Sequence, residues 1–335
     1  MRSYVVENID GFEAIATVER ARPEPAADQI LVEFKAASLN YRDLLIPLGG
    51  YHRNQTRPVV PVSDGAGVVV AVGDAVSEWQ VGDRVVGNFF QDWVAGPIGE
   101  DGLTSSMGGA IDGVLSEYFL FKAHGALRVP DDMSFEAAAT LPCAALTAWH
   151  ALVPRGGVRE GDVVLTQGTG GVSIFALQLA KGLGAEVIIT SSSDEKLERA
   201  RALGADHCIN YQTHPNWGEV ALEITGGRGV DHVIEVGGEQ TFEKSINCTR
   251  VYGTISVIGI VSGFNIPFSL LAALNMLTIN GIYVGSVEMF QDMLAFMHKH
   301  NIQPVIDRTF DFEHALDAFR HLASAKHLGK VVITA

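Results

Sequence analysis

Hydrophobic positions along the chain change their period near residue 134. Before it, apolar residues fall in short β-branched runs, YVVENI, ILVEFKAASL, GAGVVVAVG and DRVVGNFF, separated by PEP, PV, GG and GD turns. Runs of this length bounded by Gly and Pro predict strands, so residues 1–87 read as an all-β or mostly β module. Residues 88–113 are rich in glycine and aromatics and read as a long loop, functional or disordered, with Phe89, Phe90 and Trp93 set to pack. From Ser134 the period becomes helical. SFEAAATLPCAALTAWHALV predicts one helix, with Ser134 as its N-cap and Gly156-Gly157 closing it. Strand and helix patterns then alternate. VVLTQ, EVIITS, ADHCIN, DHVIEVGG, TISVIG and LTINGIYVG are the strands; helices are predicted over 172–183, 194–203, 217–225 and 239–248. That alternation predicts a parallel six-stranded sheet with helices on both faces. The closing fifty or so residues bring a helix, a strand, a helix and KVVITA, which lie outside the six strands and are expected to return to the first module.

Composition narrows the class. The 335 residues are 47% hydrophobic and 19% charged, enough for about two domains. A net charge of −15 argues against nucleic acid or an anionic membrane as partner. No apolar run reaches the ~18 residues that would span a bilayer, and the N-terminus MRSYVVENIDGF lacks the build of a signal peptide. Cys143, Cys208 and Cys248 show no C-x-x-C spacing, which suits a reducing, cytoplasmic compartment rather than disulfides or structural zinc.

The stretch Val163–Ser173 carries the candidate chemistry. A strand climbs into Gly168-x-Gly170-x-x-Ser173 and then a helix, which is the opening of a dinucleotide-binding unit with Ser in place of the third glycine. Gly168 permits the tight turn, Gly170 lets backbone amides approach a pyrophosphate, and the helix N-terminus attracts the anion. The next strand ends in Ser191-Ser192-Ser193 before Asp194-Glu195-Lys196. Hydroxyls beside an ammonium suit the 2′-phosphate of NADPH. The same serines can instead cap the following helix, and Asp194 keeps NADH open.

Taken in order, SLNYRDLLIPLGGY, PVSDGAGVVVAVG, VGDRVVG, AAATLPCAALTAWHAL, GTGGVS, SSSDEKLERARALGADHCINY and LGKVVI resemble the medium-chain dehydrogenase/reductase superfamily over nearly the whole chain. The likeness is greatest to its zinc-independent quinone oxidoreductase (zeta-crystallin-like) and enoyl-reductase branch. It implies an α/β protein with a GroES-like β-rich catalytic domain, 1–130 and 286–335, and a Rossmann dinucleotide-binding domain, 131–285. Where zinc relatives carry catalytic ligands, this sequence has Asn40, Ser63 and Cys143, with Asp64 as a supplement; Asn and Ser are poor zinc ligands, so no metal is expected. The structural-zinc loop contains no cysteine.

The resemblance also assigns positions. Asn40 and Tyr41 match a segment at the nicotinamide and pyrophosphate end, and Thr147 a threonine touching the cofactor. Gly168, Gly170, Gly171 and Val172 match the pyrophosphate loop, while Ser191, Ser192, Lys196 and Tyr211 match the surroundings of the 2′-phosphate. Val236, Gly237, Ile258 and Val284 follow the fourth, fifth and sixth strands and would turn their backbones to the nicotinamide half. Lys330 matches a basic residue near the pyrophosphate. Tyr51 matches a tyrosine near the substrate carbonyl, and Tyr51 with Asn40 is the catalytic candidate, donating to the oxygen on which charge develops. Arg42 and Asp43 read as a structural ion pair or as helix-start residues, His150 as a core histidine, and Cys143 as a small hydrophobe. The expected activity is hydride transfer from NADPH (NADH possible) to a quinone, enone or related carbonyl, in a homodimer pairing through the edge strand LTINGIYVG, though the sequence reads equally well with that edge flanked or covered. Two alternatives stay open: a metal-retaining alcohol or aldehyde dehydrogenase, and a non-catalytic nucleotide-binding protein.

Overall fold

The computed structural model describes residues 1–50, 57–259, 262–263 and 269–335. Among these residues the strands in chain order are β1 Arg2–Val5, β2 Ala16–Glu19, β3 Gln29–Leu39, β4 Asp64–Val72, β5 Arg84–Gly87, β6 Tyr118–Lys122, β7 Ala126–Arg128, β8 Val163–Gln167, β9 Glu186–Ser191, β10 His207–Asn210, β11 Val230–Glu235, β12 Thr249–Val257, β13 Thr278–Gly281, β14 Ile306–Asp311 and β15 Lys330–Thr334. The chain divides into two compact units. The first comprises Met1–Leu146, Val284–Phe296 and Gln303–Ala335; the second comprises Thr147–Tyr283 and Met297–Ile302.

The first unit is the GroES-like one. Its main sheet runs β14-β15-β3-β4-β5-β7, with β6 on β3, and β1 and β2 form a separate pair. Strand β3 is long enough to serve three partners, pairing antiparallel with β4, β6 and β15 at different points along its length. The pairing Val331↔Leu39 brings the chain's end back to the first module, as the closing apolar run predicts. Ile30, Val32, Phe34, Val69, Phe119 and Phe121 meet Phe312, Phe319 and Ile333 in one core. Phe34 stacks edge-on against Phe312 at 5.3 Å. Each such buried side chain contributes about 1.5–3 kcal/mol, so the returning segment is held by its own apolar face. The 88–113 segment packs through the Phe89–Phe90 ring pair at 4.7 Å and contains one short helix, Glu100–Leu103.

The segment after Ser134 is not one helix. Ser134 does cap it, its Oγ accepting from the Ala137 N–H at 3.1 Å. The helix Phe135–Ala139 then gives way to a π-helical turn, Leu141–Ala145, before α-helix resumes over Leu146–Leu152. Pro142 is the physical reason: it has no N–H to donate, and its ring crowds the preceding turn. Residues up to Leu146 group with the first unit, because Phe135–Ala139 packs on β3 and β4.

The second unit is a parallel Rossmann-like sheet in the order β10-β9-β8-β11-β12-β13. Its core joins Leu165, Ile188, Ile209, Val233 and Ile255 to Trp217, Phe242 and Ile246 from the helices. From β8 the chain runs outward through β9 and β10; from β11 it runs the other way through β12 and β13. The reversal lies between β8 and β11, and ligands of open α/β sheets bind beyond the carboxyl ends of the strands at such a point.

Candidate functional site

At the carboxyl end of β8 the chain turns through Gly168, whose φ of +71° lies in the left-handed region that favours glycine. A Cβ added at Gly168 or Gly170 would meet nothing within 4 Å, so the loop opens onto free space. Gly170 caps the helix Gly171–Gly182, whose first N–H groups have no partner within the helix and suit an anion. Ser173 solves the missing third glycine. It is buried, and its Oγ donates to the Gln167 carbonyl at 2.6 Å, tying helix to strand. The loop therefore fits a pyrophosphate.

The carboxyl ends of β9 and β10 lie side by side: the Tyr211 N–H donates to the Ser191 carbonyl at 3.0 Å. Ser191 is buried and Ser192 exposed. The Ser193 Oγ accepts from the Lys196 N–H at 3.3 Å, so the capping reading holds for Ser193. Asp194 accepts from the Asn210 amide at 2.7 Å, which engages one of its oxygens within the protein. Thr147 is buried at the start of the second unit, while Val236, Gly237 and Ile258 follow the ends of β11 and β12.

The first unit holds a buried polar cluster. Asn40 ends the long strand β3 and opens the helix Tyr41–Leu45; its backbone N–H donates to Asp43 Oδ2 at 2.7 Å. Lys330, at the start of β15, is buried and donates from Nζ to the Leu39 carbonyl at 2.7 Å and to Asn40 Oδ1. Its ammonium, assigned by resemblance to the pyrophosphate, is thus directed into the protein interior. An ammonium needs an acceptor, so the amide orientation of Asn40 is fixed with Nδ2 turned the other way. Nδ2 is buried and turned toward Asp64, whose ionised form it favours.

Asp64 accepts from the Ser63 hydroxyl at 2.6 Å on one oxygen and from the Cys143 N–H at 3.0 Å on the other. Burial raises the pKa of Asp64, with Lys330 opposing, and lowers that of Lys330, with Asp64 opposing. Burial, and then Asp64, pushes the Cys143 thiol above its ordinary range. Just ahead of Ser63, Val62 sits at φ +72°. That conformation costs a β-branched residue about 1–3 kcal/mol, and it aims Ser63 and Asp64 into this cluster. Arg42 donates to the Met107 carbonyl at 2.8 Å, lies 3.8 Å from Asp43 and covers the Phe89 ring. The ion-pair reading of Arg42 and Asp43 holds. So does the core reading of His150, buried with Nδ1 2.9 Å from the Tyr283 carbonyl.

Tyr51 lies outside the described residues. Tyr41 is exposed, and Val284 is buried in the first unit. Among the described residues, no group of three His, Cys, Asp or Glu side chains is placed to hold a metal ion. Sequence reasoning missed the acid at the end of β11, Glu235, which is wholly buried and hydrogen-bonded to Gln167 at the end of β8. The signal was a charge directly after the apolar pair Val233-Ile234, at the carboxyl end of the strand.

Two family models match this chain: an alcohol dehydrogenase GroES-like domain over residues 26–131 and a zinc-binding dehydrogenase domain over 171–299. A zinc-type alcohol dehydrogenase-like protein of Schizosaccharomyces pombe is 44% identical, over 99% of each chain. Among solved structures, an NAD-dependent alcohol dehydrogenase superposes with a TM-score of 0.91 at 34% identity, and all of each chain is covered. The Escherichia coli quinone oxidoreductase complexed with NADPH superposes at 0.86 and 26% identity, again over all of each chain.

Proposed function

The chain belongs to the medium-chain dehydrogenase/reductase superfamily and is an oxidoreductase of it, and from that premise we propose that it reduces a quinone, enone or related carbonyl with NADPH and without a metal ion. The observation that carries this reading is the Lys330–Asn40 contact. Where zinc relatives place ligands, the amide oxygen of Asn40 faces an ammonium, Ser63 donates its hydroxyl to Asp64, and both Asp64 oxygens accept hydrogen bonds. Zn²⁺ takes deprotonated ligands and is repelled by a fixed cation beside them, so this donor set does not fit it.

NADPH, when bound, supplies the hydride. The open loop at Gly168 and Gly170 and the helix behind it receive the pyrophosphate, with Ser191, Ser192, Lys196 and Tyr211 toward the adenosine end. Lys330 holds Asn40 so that Nδ2 remains a donor. Hydrogen-bond donors at the oxygen where charge develops lower the barrier, and each is typically worth about 10²–10³ in rate. Tyr51 supplies the second donor, a role that rests on resemblance. The zinc-type name of the Schizosaccharomyces pombe relative favours a second reading, metal-dependent alcohol oxidation. Turnover assays separate the two. Wild type should oxidise NADPH with quinones or enones, and Asn40→Ala should lower that turnover by ~10²-fold at nearly unchanged NADPH affinity. Alcohol oxidation alone, with no reduction of these acceptors, would reject the reading.

A further inference from the structure

At the reversal of strand order, one buried side chain ties the two central strands together. Glu235 closes β11, Gln167 closes β8, and the Gln167 amide donates to Glu235 Oε2 at 2.7 Å. The Ser245 hydroxyl donates to the same oxygen. The other oxygen accepts from Gly237 N at 2.8 Å, Gly238 N at 3.0 Å and the Thr241 hydroxyl at 2.6 Å. Five donors therefore converge on Glu235, and a carboxylate is the acceptor-only group that can satisfy them all. Gln167 completes the frame, its Oε1 accepting from Val236 N at 3.3 Å and Gly237 N at 3.2 Å. On the opposite edge, the Gly237 carbonyl accepts from Ser262 N at 2.7 Å and Ser262 Oγ at 2.8 Å. A Cβ on Gly237 would come within 2.3 Å of Thr241, so this turn has no slack.

We propose that Glu235 is a positioning residue: through Gln167 and the 236–238 backbone it sets the floor on which the nicotinamide half of the dinucleotide rests. This inference depends on the dinucleotide reading above. The adenosine-end candidates Ser191 and Tyr211 lie at the ends of β9 and β10, on the far side of β8 from β11. The clamp therefore acts on one half of the ligand only. A neutral amide at 235 turns an NH2 group toward donors, and loss of the Gln167 amide frees the Val236 N–H and leaves the Gly237 N–H to Glu235 alone.

The test compares two affinities: that of whichever of NADPH and NADH wild type binds more tightly, and that of its adenosine half alone, adenosine 2′,5′-bisphosphate or AMP. Glu235→Gln and Gln167→Met should each weaken the whole dinucleotide about tenfold or more and the adenosine half less than about twofold. A general loss of structure would weaken both together. Equal changes in the two ligands, or an unchanged dinucleotide affinity in a folded variant, overturn the proposal. If Glu235→Gln yields no folded protein, Gln167→Met decides. Wild type that binds neither NADPH nor NADH rejects the dinucleotide reading, and the inference with it, before any variant is made.

Discussion

Among single residues, Lys196 and Asp43 give the sharpest expectations. Lys196 stands one turn into the helix that Ser193 caps, beside the Ser191–Tyr211 strand ends. If its ammonium meets a 2′-phosphate, Lys196→Glu should weaken NADPH far more than NADH in a titration, by about tenfold or more. Equal loss for both cofactors would contradict the assignment. Burial pushes the Asp43 carboxyl up to about 6, with Arg42 opposing. A carboxyl raised on folding is neutral in the native state while already ionised in the unfolded chain. Its contribution to stability is complete below about pH 4 and is lost as pH rises through about 6. Asp231 slopes the other way. Arg228, the Val163 N–H and Arg250 outweigh its desolvation and hold it below the carboxylate range, so its contribution is lost on acidification. Asp43→Asn keeps an acceptor for the Asn40 N–H and should flatten melting temperature against pH between about 4 and 6. An unaltered profile would contradict the shift.

The elements that the sequence announces most plainly are those whose own pattern suffices. Strand β8 begins and ends where VVLTQ does, and the following helix, Gly171–Gly182, falls one residue from its expected bounds. LTINGIYVG forms strand only over Thr278–Gly281, because its neighbour β12 ends at Val257, whose carbonyl takes the last bond from the Ile282 N–H at 3.0 Å. The apolar spacing after Ser134 predicts a continuous helix because Pro142 alters the backbone ladder and not the side-chain period. Its cap was legible because a side-chain oxygen three residues before an N–H is a local matter. Ser134→Ala should cost about 1 kcal/mol in denaturant unfolding, and no loss would contradict the cap. The Glu235 clamp and the Lys330–Asn40 contact were not legible as contacts. Their partners lie 68 and 290 residues apart, and only the paired strands bring them together.

No helix among the described residues is long and apolar enough to cross a membrane. One group of exposed apolar residues, Leu270, Leu274, Met276 and Ile279, lies on the edge strand β13 and the segment leading into it. We propose that the homodimer expected from the sequence forms here, with β13 pairing against its copy. Light scattering should give twice the chain mass for wild type and a monomer for Ile279→Lys; a monomeric wild type would contradict it. The central claim is that a fixed ammonium, and no metal ion, accompanies hydride transfer in this protein. The most direct measurement is NADPH-dependent turnover of a quinone or enone by chelator-treated protein whose zinc content is determined in parallel. The account predicts retained turnover with far less than one zinc per chain, and stoichiometric zinc whose removal abolishes activity would contradict it.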